Sequence, residues 1–142
     1  MNTSENIIAK SAKIAEHSDN CILALINFDG YPTAATISPS KVEGIKRIYF
    51  GNNASSNWVQ RIERCNRASI CFSSDNPVYN ITLVGDFEII TDQLSVKQEM
   101  WRDWMNEYFS GPEDSNYCVL RFTTRYVSIF LDGTQYRGEL TG

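Results

Sequence analysis

The chain has 142 residues, 42% of them hydrophobic and 21% charged, with 13 Lys and Arg against 17 Asp and Glu, a formal charge of −4 and a pI near 5.0. Such a composition reads as one globular domain with enough apolar content for a core, and it excludes a disordered chain. The acidic balance and scattered basic residues argue against nucleic acid or an anionic membrane as the main partner, because either calls for a clustered basic face.

In chain order, residues 6–16 carry Ile7, Ile8, Ser11, Ala12, Ile14 and Ala15 at helical spacing, with Ser4 as the expected N-cap. Two β-patterned runs follow, residues 21–28 and 31–38, joined by Asp29-Gly30, a favoured hairpin turn. A second hairpin turns through residues 42–46 into Arg47-Ile48-Tyr49-Phe50-Gly51. The polar stretch Asn52 to Ser56 then opens a serine-capped helix expected to reach Arg64. Residues 68–72 and 79–90 read as strands around an Asp75-Asn76-Pro77 turn, and Gly85 inside the longer run marks a bulge, a bend or a close approach. Thr91 and Asp92 are expected to cap a third helix that gathers Leu94, Trp101, Trp104, Met105 and Tyr108 on one face. Residues 117–122 and 126–131 close the sequence as one strand or a bent pair. Six or so mostly antiparallel strands, with helices between hairpins rather than after every strand, favour a mainly β fold, a closed or split barrel, over a parallel α/β sheet.

Several chemistries lack their parts. The four cysteines, Cys21, Cys65, Cys71 and Cys118, form no Cys-x-x-Cys pair and read as reduced thiols. His17 is the one histidine, which leaves a zinc site, a Ser-His-Asp triad and a Cys-His pair without their central residue. No glycine spacing matches a Rossmann or P-loop nucleotide site. No apolar run approaches bilayer-spanning length, and the polar, acidic start Met1 to Asn6 does not suit a signal peptide, so the expected location is the cytoplasm. The strand-to-helix junction at Ser55 and Ser56 has two readings. Free amides and the helix macrodipole could hold a phosphate there, or a serine simply caps an ordinary helix.

The ordered set of these pieces resembles the pyridoxamine 5′-phosphate oxidase-like split barrels that bind flavin mononucleotide (FMN), and within them the branch similar to general stress protein 26. The resemblance runs from about Ile14 to Leu131. It is carried by Asp29-Gly30-Tyr31-Pro32, by Phe50-Gly51-Asn52-Asn53-Ala54-Ser55-Ser56, by Val84-Gly85-Asp86-Phe87-Glu88-Ile89-Ile90 and, most specifically, by Trp101-Arg102-Asp103-Trp104-Met105-Asn106-Glu107-Tyr108-Phe109 with Gly111-Pro112-Glu113-Asp114. It implies a six-stranded antiparallel split β-barrel forming a homodimer, with FMN in a groove at the subunit interface.

By the same resemblance, the isoalloxazine ring would lie along Ala35, Thr36 and Ile37 and along Phe50, Gly51 and Asn52. The phosphate would sit near Asn53, Ser55 and Ser56. Trp101, Trp104 and Phe109 of a partner subunit would close the groove, the alternative being that this aromatic face packs into its own core. Asp103, Glu113 and Asp114 read as surface or loop charges.

The chain departs from the family pattern where it carries Ala35 and Trp58, positions at which many members place a basic residue and a lysine. One charge-assisted hydrogen bond is worth roughly 1.5–3 kcal/mol, so each loss weakens a flavin site by ~10–100-fold. Arg61, Arg64 and Arg67 are candidate substitutes, with solvated surface charge as the other reading of each. Trp58 is free to stack on a flat ligand or fill the pocket.

The leading expectation is a flavin-dependent oxidoreductase of unknown substrate, open to a small molecule and a nicotinamide donor, in which the cofactor carries the redox chemistry. A flavin-storing module and a cofactor-free dimeric barrel are the rivals. Pyridoxamine phosphate oxidation is disfavoured, since a second phosphate needs its own basic cluster and residues 135–139 supply only Arg137.

Overall fold

The structure is a computed structural model that describes residues 3–140; Met1 and Asn2 of the polar start lie outside it. Helix α1 (Thr3–Glu16) precedes the hairpin β1 (Cys21–Ile26) and β2 (Pro32–Ile37), then the short β3 (Lys41–Glu43) and β4 (Arg47–Asn53). Helix α2 (Asn57–Arg64) leads to the long hairpin β5 (Arg67–Asp75) and β6 (Val78–Ile90). Helix α3 (Leu94–Glu99) and a 3₁₀ turn (Asp103–Glu107) precede β7 (Tyr117–Leu131) and β8 (Thr134–Glu139).

All pairings are antiparallel, in the order β2-β1-β5-β6-β7-β4-β3, with β8 also on β7. The mainly β architecture expected from the sequence is present, with eight strands among the described residues where six or so were expected. The additions are β3, three residues and too short to show alternation, and β8 (TQYRGE), whose exposed polar residues hide its pairing with β7.

One core draws Leu23 and Leu25 from β1, Ile48 and Phe50 from β4, Ile70 and Phe72 from β5, Ile81 and Leu83 from β6, and Leu120 and Phe122 from β7. A single sheet that buries side chains from five strands together has to curl around them. Ile62 and Val59 of α2 and Ile7 of α1 plug this core.

The run 117–131 is one strand with an irregularity. Val84 pairs with Tyr126 and Gly85 with Thr124, so Arg125 is the extra residue of a β-bulge. At that point β7 changes its other neighbour, from β4 up to Thr123 to β8 from Tyr126 onward, which splits the barrel wall. Gly85 is the residue that permits it, because a Cβ there would strike the Thr123 carbonyl oxygen.

Three local expectations need correction. Ser4 lies within α1, as its second residue, and not before it. The expected third helix is broken: α3 ends at Glu99, Arg102 is extended (φ −130°, ψ 152°), and the 3₁₀ turn follows. The Arg102 guanidinium donates to the carbonyls of Glu99 and Trp101 and, across the fold, of Ser40 at 2.7 Å. Those bonds satisfy carbonyls that a continuing helix would have used. The break also scatters the supposed common face, leaving Met105 buried and Leu94, Trp104 and Tyr108 exposed. The cap position is Gln93, not Thr91 or Asp92. Among the described residues no helix is long and apolar enough to cross a membrane.

Candidate functional site

Alternation along β4 sends Ile48 and Phe50 inward and turns Tyr49 and Gly51 to the outer face. The segment 94–109 lies over that face as a roof. Met105 is fully buried, and a Cβ on Gly51 would lie 2.5 Å from its Cε, so glycine is what lets the roof descend onto the strand.

Beneath the roof is a second core of Tyr49, Ile90, Met100, Met105, Phe109, Tyr117 and Val119, with Trp101 packed against it. Trp101 meets the Tyr117 ring edge-on at 5.2 Å, and Phe109 meets the same ring at 5.3 Å. Tyr117 donates its hydroxyl proton to the Lys97 carbonyl at 2.9 Å. Burial pushes this phenol up to about 12. Lys97, itself buried, donates to the carbonyls of Thr91 and Asp114 and lies 5.4 Å from the Tyr117 ring centroid. Backbone N–H bonds from Ser110 and Asn116 hold the Asp114 carboxyl below the usual carboxylate range.

The roof's outer aromatics stay in the open. Trp104 is 49% and Tyr108 69% exposed, their rings edge-on at 6.2 Å. Together with Phe109, Gly51, Asn52 and Asn53 they line a groove of about 310 Å³. Of the residues singled out in the sequence, Gly51, Asn52, Asn53, Trp104 and Phe109 thus converge within one protomer, while Trp101 turns inward. Tyr108, named above only as a helix-face residue, joins them; its place in an aromatic run was the available signal.

The junction before α2 spends the backbone donors of residues 53–56 within the protein. Ser56 caps the helix, its Oγ accepting from the Val59 N–H at 3.2 Å. The Ser55 N–H and hydroxyl both donate to Asn53 Oδ1, the Ser56 N–H to the Asn53 carbonyl, the Asn53 N–H to Asn52 Oδ1, and the Ala54 N–H to the Asn116 carbonyl. An Asx-type turn therefore satisfies the amides of residues 53–56, while the Asn57 and Trp58 N–H groups in the first turn of α2 have no partner among the described residues.

The remaining candidates lie elsewhere. Ala35 and Thr36 are exposed on β2, and Ile37 leans on the main core, as does Trp58, which is half-buried. Arg61 is buried: its guanidinium donates to the Leu25 carbonyl at 3.0 Å, to the Ile26 carbonyl at 3.4 Å and to Thr33 Oγ1 on β2. Arg64 covers the Phe28 ring at 5.3 Å. Arg67 lines a separate groove with Asp86, Arg125 and Tyr126. No group of three or more potential metal ligands converges among the described residues.

The family model described as pyridoxamine 5′-phosphate oxidase like matches residues 6–129. The chain belongs to this family. Among solved structures, the pyridoxamine 5′-phosphate oxidase-like chain is similar to a Clostridium acetobutylicum protein related to general stress protein 26 of Bacillus subtilis, at 25% identity, TM-score 0.81 and 96% of each chain covered. It shares its fold with a pyridoxamine 5′-phosphate oxidase-related, FMN-binding protein from Nostoc punctiforme (14% identity, TM-score 0.69, 100% and 99% covered). It also shares it with a heme-binding protein from Mycobacterium smegmatis (16% identity, TM-score 0.71), covering 98% of this chain and 59% of that one. No curated protein matches the chain. These relatives establish a split-barrel fold, with flavin and heme binders among its bearers.

The residues present fit FMN. The roofed groove offers aromatic side chains beside Gly51 to a flat ring system, and Arg61, outside the groove's lining, keeps its Nη1 without a protein partner among the described residues.

Proposed function

We propose that this pyridoxamine 5′-phosphate oxidase-like chain is a cytoplasmic, homodimeric, single-domain FMN-binding flavoprotein that acts as an oxidoreductase. The observation that carries the proposal is the groove in which Trp104, Tyr108 and Phe109 face Gly51, Asn52 and Asn53. When bound, FMN supplies the redox chemistry, and the protein supplies binding, orientation and exclusion of water. Phe109, buried and braced by Tyr117, sets the depth of the groove; Trp104 and Tyr108, exposed and backed by each other, offer ring faces to the ligand. The Gly51 main chain and the Asn52 and Asn53 side chains serve as its polar wall.

Two features support the dimer. β2 is exposed along Pro32 to Thr36 and has β1 as its sole strand neighbour among the described residues, and the groove-lining Trp104 and Tyr108 remain 49% and 69% open within one protomer. A partner lying on β2 would bring Ala35, Thr36 and Ile37 into the same binding region. A stress-related role is part of the proposal, taken from the relationship named for the Clostridium protein. Heme has no comparable support, since His17, the one histidine, lines a different groove with Cys21, Thr36 and Cys71.

The test is an FMN titration of the purified chain followed by flavin fluorescence quenching and visible absorption. Saturation at one flavin per chain is expected, with Trp104→Ala weakening binding roughly 2–10-fold, the range for one lost aromatic contact. Absence of binding refutes the flavoprotein reading. Binding without oxidation of reduced nicotinamides or turnover of any acceptor leaves a storage module in place of an enzyme.

A further inference from the structure

Arg61 is the one buried arginine of the chain's described residues, and no carboxylate pairs with it. Its bonds to the Leu25 and Ile26 carbonyls and to Thr33 Oγ1 satisfy Nε and Nη2 but bring no negative charge. A guanidinium stays ionised, and buried charges ordinarily sit against a counter-charge. Arg61 lies in the last turn of α2, where the helix dipole supplies only about half a negative charge. Neighbouring groups do not make up the difference. Arg64, one turn on, adds a second cation over Phe28, and Asp29 in the adjoining turn accepts from the Tyr31 N–H.

Two donors remain unspent at this point. Nη1 has no partner among the described residues, and the Thr33 hydroxyl, while accepting from Arg61, keeps its own proton to donate. Thr33 and Ala35 are two residues apart on one face of β2, and both are exposed. We propose that Arg61 Nη1 and the Thr33 hydroxyl form an anion site for a phosphate monoester, fixed in place by the carbonyls of Leu25 and Ile26. Resting on the flavoprotein reading, this makes the pair the anchor for the FMN phosphate and moves that charge from the strand and the helix start to the end of α2. The carbonyl bonds orient the fork, and the Thr33 hydroxyl contributes the second donor that a phosphoryl oxygen needs.

The experiment compares wild type, Arg61→Gln and Thr33→Val by thermal unfolding with inorganic phosphate against chloride at equal ionic strength, and by titration with FMN and riboflavin. The expected wild-type result is stabilisation by phosphate and FMN affinity at least ~10-fold above that of riboflavin, the effect of one charge-assisted bond. In Arg61→Gln the phosphate effect is lost and the two flavins bind alike; the exposed Thr33→Val, which keeps the fold if Arg61→Gln does not, lowers the ratio several-fold. A ratio and phosphate effect unchanged in either variant overturn the site, as does a wild type that binds both flavins equally and ignores phosphate, while the flavoprotein reading then stands. Phosphate stabilisation that needs Arg61, in a protein that binds neither flavin, upholds the anion site and removes the flavin.

Discussion

β2 and β4, six and seven residues long, are the two strands on which a flat ligand was expected to lie, and they have opposite surroundings. β4 is flanked by β3 and β7, buries Ile48 and Phe50 on one face and carries a pinned aromatic roof on the other. β2 has one strand neighbour and is exposed from Pro32 to Thr36. One strand gains its order from within the protomer, whereas the other presents a bare wall next to a buried cation. The open β2 face is the surface on which the proposed partner subunit would lie.

The largest effect should come from the roof. Met105→Ala removes a fully buried side chain wedged onto Gly51 and should cost about 2–5 kcal/mol in urea unfolding. Thr36→Ala on β2 should stay within about 0.5 kcal/mol under the same conditions. Equal costs would erase the contrast between the strands. A smaller effect is expected for Tyr117→Phe, which deletes the hydroxyl bond to the Lys97 carbonyl and should lose about 0.5–1.5 kcal/mol. A null result there would show that the ring contacts alone hold the roof.

The smallest effect concerns acid. The Asp114 carboxyl is lowered by the backbone bonds of Ser110 and Asn116, so its contribution is fully present above its ordinary value of 3.8 and fades as pH falls through the folded-state value beneath it. Wild type should therefore lose more stability between pH 5 and pH 2, and Asp114→Asn should flatten that part of the profile in acid titrations followed by tryptophan fluorescence. Equal slopes would detach the 110–116 loop from the roof's stability.

Much of the fold was legible because it rests on short-range signals. The Asp29-Gly30 turn appears with Gly30 at φ 89°, Ser56 caps α2, and Gly85 marks the bulge. The signals failed where distant groups overrode local preference. Trp101 to Tyr108 reads as helix continuation, yet Arg102 breaks it by reaching Ser40. β8 looks like a polar tail, yet β7 has a free edge beyond its bulge and pairs with it.

The candidate site divides the same way. Gly51 to Asn53 and the aromatic run were visible as residues, and the sequence alone determined the strand pattern, the hairpins, the family and the loss of charge at Ala35 and Trp58. The tertiary structure decided which aromatics face the groove, that the Ser55 and Ser56 amides bond to Asn53, and that Arg61 is a buried cation beside Thr33, not a solvated one. Those outcomes turn on contacts between residues 28 and 62 positions apart, Arg61 with Thr33 and Arg102 with Ser40. A side chain's surroundings at such separations depend on how the whole sheet curls, and no local periodicity carries that information.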